Sequence, residues 1–211
     1  HSRQALNSLW IADDLPEKWD NWNIDSDAME RFRGVRSFQG IECVSIGPVE
    51  MRLRSRYDLD GRSSLVQDIV FYADTPRVDF HTLVYWNSVH TLLKTAFPLN
   101  LRPRNARCEI QYGHVSRPTH ATLPTDEAKF EVCSHKWTDI SESGFGCALL
   151  SDCKYGISVK DCVLALSLHR GGTMPDSTGD RGTHEMTYSF LPHTGGVSAK
   201  KKDHPAYILD D

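Results

Sequence analysis

The sequence lacks both a basic surplus and a long hydrophobic run, and each absence removes a class of partner. Its 211 residues include 24 Lys or Arg and 28 Asp or Glu, which gives a formal net charge of −4. A negative chain is a poor match for nucleic acid, because neutralising phosphates requires a surplus of basic side chains. No apolar segment approaches the roughly 20 residues of a membrane-spanning helix. We therefore expect neither nucleic acid nor a membrane as a partner.

Closely spaced cysteines are also missing. Since a chain of this length can build its own hydrophobic core, we interpret its cysteines as mostly buried free thiols in a reducing compartment. The opening segment HSRQALNSLW also has no apolar core of the kind that a secretion signal needs. Both observations predict a cytoplasmic protein. The six cysteines, which include no C-x-x-C pair and no zinc-finger spacing, are Cys43, Cys108, Cys133, Cys147, Cys153 and Cys162.

What the sequence does contain is apolar and polar residues that alternate with period two. Met51, Leu53 and Tyr57 alternate with three arginines, which predicts a half-buried antiparallel strand. One helical turn is expected near DSDAMERF, with Asp25 or Ser26 as its cap. Many short strands with almost no helix predict an all-β protein, a large two-layer antiparallel β-sandwich. Further strands are predicted at SLVQDIVFY and RVDFHTLVYW (a hairpin joined across ADTPR), ARCEIQYG, FGCALLSD, YGISVKD, CVLALSLH and EMTYSFLPH.

No domain boundary is indicated before about residue 195. From there GGVSAKKKDHP is typical of a linker, in which the basic run Lys200–Lys202 is solvated. The final AYILDD is apolar enough to begin another strand. We therefore predict a sandwich domain over residues 1–195, and a linker with the start of a further β segment over residues 196–211.

The strand that ends near Leu168 leads into a polar loop that carries the candidate functional side chains Arg170, Asp176, Asp180 and His184. From the residues alone three interpretations are open: a metal site, a catalytic carboxylate pair, or a plain loop. A retaining glycosidase needs two carboxyl groups about 5 Å apart, which two aspartates in one loop could supply. Aspartate beside Gly, Ser and Thr is more often turn chemistry, and we favour that interpretation.

A second group of possible metal ligands consists of three histidines in one central region, with Asp126 and Glu131 nearby. A zinc site would need neutral imidazoles and carboxylates that converge with tetrahedral geometry. The spacings match no compact ligand motif, so we favour structural roles, with Trp137 packed in a strand. The histidines of this region are His114, His120 and His135.

Three tryptophans, Trp10, Trp19 and Trp22, crowd the N-terminal segment. If exposed, their rings would suit stacking against the C–H face of a sugar. We prefer the interpretation that they pin an extended segment onto the sandwich.

Several blocks, taken in order, resemble the glycoside hydrolase family 38 α-mannosidases, most closely their cytosolic and bacterial branch. Any one block is weakly specific, but their order and spacing run in step from about Leu15 to His193. Two segments depart from the family pattern: WDNWNI stands for the usual W-D-A-W-D-I, and LHRGGT for L-R-S-P. The matching blocks are DDLPEKWDNWNID, LLKTAFPLNLRPRNARCEIQYGHVSRPTH, AKFEVCSHKWTDISESGFGCALLSDCKYG and LSLHRGGTMPDSTGDRGTHEMTYSFLPH.

The resemblance implies a β supersandwich similar to galactose-mutarotase-like enzymes, truncated here at both ends. It also implies that the catalytic zinc, the nucleophilic Asp and the H-x-D motif belong to an N-terminal α/β-barrel domain. Nothing in residues 1–211 matches those motifs, so we expect no catalytic residue and no metal ligand in this chain. The fragment alone is then inactive, and linkage specificity depends on barrel loops outside it.

The same resemblance implies partners and a site. The partners are a mannose-containing oligosaccharide, the protein's own N-terminal catalytic domain, and further subunits of a homo-oligomer. The site is the loop with Arg170, Asp176, Asp180 and His184, of which Arg170 would bind mannose hydroxyls or order the loop through one of the aspartates. His184 would hold the loop. The alternative is a non-catalytic carbohydrate-binding or oligomerisation β-module.

Overall fold

The computed structural model describes residues 5–160 and 162–195, which fold into two antiparallel β-sheets. A short 3-10 turn covers Ser26–Glu30, and one turn of α-helix, α1, covers Pro124–Glu127. The strands are β1 Ser8–Asp13, β2 Arg33–Gly34, β3 Ser37–Ile46, β4 Glu50–Asp58, β5 Ser64–Tyr72, β6 Val78–Trp86, β7 Thr91–Pro98, β8 Asn105–Ile110, β9 Gly113–Pro118, β10 Val132–Cys133, β11 Trp137–Glu142, β12 Phe145–Ser151, β13 Gly156–Lys160, β14 Val163–Arg170 and β15 Gly182–Thr194.

The two sheets differ in size. The smaller sheet has the order β10-β13-β14-β7-β1-β2, and the larger has the order β3-β4-β5-β6-β15-β12-β11-β8-β9. Phe97 of the smaller sheet stacks on Phe190 of the larger at 5.0 Å between ring centroids, and it contacts the Phe80 ring at 5.8 Å. Apolar side chains from both sheets therefore share one core, and the predicted antiparallel sandwich is confirmed.

Alternation located about half of the strands, namely β4, β5, β6, β8, β12, β13, β14 and β15, but it did not predict β1 or β3. β5 and β6 pair as the predicted hairpin, with Phe71 opposite Val78. Along β6, four alternating side chains are at most 5% exposed, because they form the face that packs on the smaller sheet: Phe80, Thr82, Val84 and Trp86. The predicted helical turn is a 3-10 turn without a side-chain cap at Asp25, and α1 was not predicted.

A buried polar network fixes the N-terminal segment to the core. The Asn7 carboxamide oxygen accepts hydrogen bonds from the Tyr188 hydroxyl at 2.6 Å and from the Thr95 hydroxyl at 2.8 Å. The Asn7 amide group donates to the Gln67 side chain at 2.6 Å, so the start of β1 lies across β5. Burial raises the pKa of Tyr188 to about 12, and the neutral phenol remains a hydrogen-bond donor throughout the physiological range.

The cysteines are less buried than expected. All six are free thiols, but only Cys108 and Cys147 are buried. Burial raises the pKa of the Cys147 thiol to about 12, so that thiol is inert. The prediction of mostly buried thiols is wrong, because the other four are placed on strand ends, turns or faces that the sandwich leaves open: Cys43, Cys133 and Cys153 are exposed and Cys162 is half-buried.

Two further predictions concern membrane-spanning helices and the C-terminal linker. No helix within the described ranges is long and apolar enough to cross a membrane. The linker and strand start predicted for residues 196–211 lie outside the described residues, so the two-part division of the chain stays a prediction.

Candidate functional site at the loop junction

The loop after β14 meets the segment between β1 and the 3-10 turn, and we call the region formed by residues 14–25 and 170–184 the loop junction. Its backbone is closely packed at Gly171, whose N–H donates to Thr91 O at 2.9 Å and whose carbonyl accepts from His90 N at 2.6 Å. A Cβ at this position would lie 2.2 Å from the Ser88 carbonyl oxygen. Glycine is therefore required here for close backbone approach, rather than for flexibility.

Arg170 ties the two segments of the loop junction together. Its Nε donates to the Asp14 carboxylate and its Nη2 to the Asn23 carbonyl, in two short hydrogen bonds. The Asp14 side chain is 1% exposed, so this ion pair is largely removed from water. The other carboxylate oxygen of Asp14, Oδ1, has no hydrogen-bond partner among the described residues. The expectation that Arg170 orders the loop through Asp176 or Asp180 is wrong, since its partners belong to the N-terminal segment.

Asp20 makes the second connection between the two segments of the loop junction. Its carboxylate accepts from the Thr173 N–H at 2.9 Å, the Thr173 hydroxyl at 3.0 Å and the Met174 N–H at 2.6 Å. Burial by itself raises the pKa of Asp20, but the bonds from Met174 and Thr173 and the nearby His90 lower it further than burial raises it. Asp20 is therefore an ionised anchor that fixes the backbone of the second segment.

The two aspartates proposed as a carboxylate pair serve the turn instead. The Asp176 Oδ1 accepts from the Thr178 N–H at 2.9 Å and from its hydroxyl at 3.1 Å, which is an Asx-type turn. These bonds hold the pKa of Asp176 below its usual value. Asp180 adopts a left-handed backbone with φ of 59° and contributes its carbonyl oxygen to the loop. The turn interpretation therefore describes both residues.

Two histidines close the loop. His169 Nε2 and His184 Nε2 both lie 2.8 Å from the Asp180 carbonyl oxygen. A carbonyl only accepts, so each ring carries its proton on Nε2. Burial lowers the pKa of His169 to about 4, and its ring packs edge-on against Trp86 at 4.9 Å. The hydrogen bond from His184 to the Asp180 carbonyl agrees with the interpretation that His184 holds the loop.

Two tryptophans are presented to solvent beside these anchors. Trp19 is 50% exposed and Trp22 is 72% exposed, and their rings stack with centroids 5.7 Å apart. Trp19 has a φ of 58°, and its carbonyl accepts from Trp22 N and Asn23 N, which forms the tight turn around Asp20. The prediction that these two rings pin the segment is wrong, because Asp20 and Arg170 do so. Trp10 in β1 is half-buried against the Phe32 ring.

The other candidate ligands serve structural roles. In the described part of the chain, no three His, Cys, Asp or Glu side chains converge as metal ligands do. Glu131 binds the buried Lys94 ammonium at 2.5 Å and accepts from Ser167 at 2.9 Å. Asp126 accepts from the Thr122 backbone and hydroxyl. His114 and His135 lie beside the rings of Trp137 and Tyr155 respectively, and Trp137 is buried as predicted.

A separate cleft of about 300 Å³ lies elsewhere on the sandwich, with Arg102, Arg104 and His120 in its wall. None of its lining residues belongs to the loop junction. This cleft and the loop junction are therefore different places on the described molecule.

Sequence reasoning missed Asp14, Asp20 and Asn23, which form the hydrogen bonds between the two segments of the loop junction. Asp20 is 153 positions from Thr173, and no local pattern reports a contact of that length. One signal was present: an aspartate between two tryptophans and a strand-end arginine both lie in blocks that resemble one family.

Comparison with known proteins agrees with the blocks. Residues 1–178 match the family model described as Glycosyl hydrolases family 38 C-terminal domain. The chain is 40% identical over 205 residues to Alpha-mannosidase 2C1 of Homo sapiens, covering 97% of this chain and 20% of that protein. It is also 40% identical over 210 residues to Alpha-mannosidase G of Dictyostelium discoideum, covering 97% and 19% respectively. The chain thus spans about a fifth of the length of these curated relatives.

A solved structure is similar in fold. The crystal structure of an α-mannosidase from Enterococcus faecalis superposes with a TM-score of 0.75 at 12% sequence identity, covering 90% of this chain and 26% of that one. At this identity the likeness concerns the fold alone.

Proposed function

Because this chain belongs to the glycosyl hydrolases family 38 C-terminal domain family, we propose that it is the β-sandwich portion of a zinc-dependent, retaining α-mannosidase. The observation that carries the proposal is the 40% identity to two proteins named as α-mannosidases over nearly the whole chain. The proposed substrate is a mannose-containing oligosaccharide, and the proposed partner is an N-terminal catalytic domain of the same polypeptide. A cytoplasmic location and a homo-oligomeric assembly belong to the same proposal.

The chemistry of the reaction is assigned to residues outside this chain. A retaining glycosidase uses one carboxylate as nucleophile and a second as acid and then base. In the loop junction Asp14, Asp20 and Asp176 are each engaged by an arginine or by turn donors. Zinc, when bound to the complete enzyme, would polarise and orient the sugar. The described residues of this chain offer it no cluster of ligands.

The loop junction is the part of the chain that we assign to the active-site side. Arg170 and Asp20 hold two segments in one rigid arrangement, and that arrangement presents the Trp19–Trp22 pair to solvent. Aromatic rings offer a flat apolar face that complements the C–H face of a pyranose. We therefore propose that these tryptophans contact the substrate, and that Arg170, which is bound to Asp14 and Asn23, is a positioning residue.

The experiment that tests the assignment is the coding sequence combined with an assay. The proposal requires an open reading frame about five times as long as this chain, with an H-x-D motif and βα alternation upstream. The purified chain should not hydrolyse an aryl α-mannoside, with or without added Zn²⁺. Turnover that co-purifies with the chain, or a reading frame without the upstream domain, would contradict it.

A second candidate is a non-catalytic carbohydrate-binding module, which the exposed tryptophan pair favours. Titrating mannose while tryptophan fluorescence is recorded separates the two. A saturable change that Trp22→Ala abolishes would favour the module, whereas a flat response at millimolar mannose is expected if binding requires the catalytic domain.

A further inference from the structure

The two exposed tryptophans of the loop junction are joined by a tight turn, and Asn21 lies in the middle of that turn. The Trp19 carbonyl accepts from Trp22 N and from Asn23 N, each at 2.8 Å, so the turn is closed by its own backbone. Asn21 is half-buried, whereas Trp22 beside it is exposed. A contact that fixes Asn21 therefore acts on the connection between the two rings.

Asn21 contacts the loop after β14 with both its backbone and its side chain. Its N–H donates to the Met174 carbonyl at 3.0 Å, and its Oδ1 accepts from the Asp176 N–H at 3.1 Å. The two partners are only two positions apart in the loop. Because both bonds go to one short stretch, they restrict the orientation of the turn more than either bond would alone.

Two glycines of the same loop leave room for the Asn21 side chain. A Cβ at Gly172 would lie 2.8 Å from Asn21 Nδ2, and a Cβ at Gly179 would lie 2.9 Å from the same atom. Real Cβ atoms do not approach another heavy atom within 3.0 Å, so neither position accepts a side chain while the carboxamide stays in place. Neither glycine adopts a left-handed φ. Close approach to Asn21, rather than backbone conformation, therefore requires glycine here.

Asn21 differs from the main anchor of the turn in how strongly it contributes to the fold. Asp20 is 6% exposed, and its loss would leave several donors in Thr173 and Met174 without their acceptor. The Asn21 bond to Asp176 is exposed, and such a bond contributes little to stability. Loss of the Asn21 carboxamide should therefore leave the sandwich folded and change only the rings beside it.

We propose that Asn21 is a positioning residue, which sets the geometry of the Trp19–Trp22 pair and, through that pair, the affinity for an oligomannose substrate. The effect on ring geometry stands on the contacts of Asn21 alone, whereas the effect on affinity rests on the proposed function. The two rings stack with centroids 5.7 Å apart. A sugar that packs on aromatic rings depends on their orientation, and the Asn21 contacts restrict that orientation.

The first measurement reads the ring geometry in an α-mannosidase polypeptide that contains this chain. Stacked indoles couple their absorption, which gives a pair of circular dichroism bands of opposite sign. The difference spectrum between wild type and Trp22→Ala identifies the bands of this pair. Asn21→Ala should reduce the same bands, with a melting temperature close to that of the wild type.

The second measurement is steady-state kinetics of the same polypeptide with oligomannose. Asn21→Ala should raise KM about threefold and leave kcat unchanged, because the reacting groups are assigned to another domain. Gly179→Ala should act alike, since its methyl group displaces the Asn21 carboxamide. The double variant should therefore be no worse than either single variant. Asn105→Ala, which removes an exposed carboxamide from β8, should alter neither constant.

Three results would overturn the proposal. One is a pair of bands that Trp22→Ala removes and Asn21→Ala leaves intact. Another is a KM that Trp22→Ala raises and Asn21→Ala does not. The third is a double variant in which the effects of Asn21→Ala and Gly179→Ala add, which would show that the two positions act separately. A KM that neither Trp22→Ala nor Asn21→Ala changes, with bands that Asn21→Ala reduces, would instead overturn the proposed function and support the positioning of the rings by Asn21.

Discussion

The loop junction and the outer edge of the larger sheet, which strands β3 and β4 form, are two parts of one sandwich with different surroundings. In the loop junction, buried carboxylates accept hydrogen bonds from a distant segment, as in Asp20 with Thr173 and Met174. At the edge of the sheet, apolar side chains such as Ile46 are exposed in the described chain. Substitutions in the loop junction therefore remove polar contacts, whereas substitutions at the sheet edge remove little packing.

Removal of the Asp20 carboxylate should have the largest effect. Asp20→Ala leaves one hydroxyl and two backbone donors without their acceptor, and we expect the free energy of unfolding to fall by about 4 kcal/mol. Urea denaturation followed by circular dichroism measures the loss. Asp176→Ala in the same region, an exposed turn aspartate, serves as the control and should change little. Equal losses in both variants would contradict the ranking of the two anchors.

Acid should weaken the loop junction before the rest of the molecule. Burial lowers the pKa of His169 to about 4, so between its usual value near 6.5 and about 4 the unfolded chain binds the extra proton. Stability is therefore lost as the pH falls through that interval, by up to about 3 kcal/mol. Asp20, whose pKa is lowered, adds a further loss at still lower pH.

Urea unfolding curves at pH 7 and pH 4.5 measure this loss. His169→Gln should reduce the difference between the two pH values, because the substituted side chain does not titrate. A difference that the substitution leaves intact would assign the acid sensitivity to another group.

Close backbone approach at the loop junction should give a smaller effect. Gly171→Ala places a methyl group against the Ser88 carbonyl oxygen, and we expect a loss of about 2 kcal/mol. The control is Gly113→Ala, where a Cβ meets nothing within 4 Å. Thermal unfolding of the two variants should differ by several degrees, and identical melting temperatures would show that the loop moves aside.

The outer edge of the larger sheet should give the smallest effect. Ile46 is 78% exposed, so Ile46→Ser removes little packing and should lower the free energy of unfolding by less than about 0.5 kcal/mol. Urea denaturation measures this change. A loss as large as that of Gly171→Ala would show that Ile46 is covered in solution.

Alternation in the sequence predicted the sandwich and about half of its strands, because alternation records which face of a strand is buried. The four inward residues from Phe80 to Trp86 are an example. The same reasoning failed for Trp19 and Trp22, since hydrophobicity favours burial and the segment is held by Asp20 and Arg170 instead. Contacts that join residues more than 140 positions apart leave no periodic signal, so the loop junction required the structure.

Family resemblance predicted more than periodicity did, and it also shows where each kind of reasoning ends. It placed the segments around Trp19 and Arg170 in blocks of one family without predicting that they meet, and it assigned Arg170 to sugar or to loop aspartates. The structure gives Arg170 the partners Asp14 and Asn23. The partner of each side chain depends on the local path of the backbone, which sequence blocks do not record.

The proposed position of the loop junction beside the active site is tested by Trp22→Ala in an α-mannosidase polypeptide that contains this chain. We predict a fall of about tenfold or more in kcat/KM for an oligomannose substrate, with zinc content unchanged. Tyr112→Ala, which removes a fully exposed aromatic ring from the β8–β9 turn, should leave kcat/KM unaltered. An unchanged kcat/KM in Trp22→Ala would contradict the assignment of the loop junction to the active-site side.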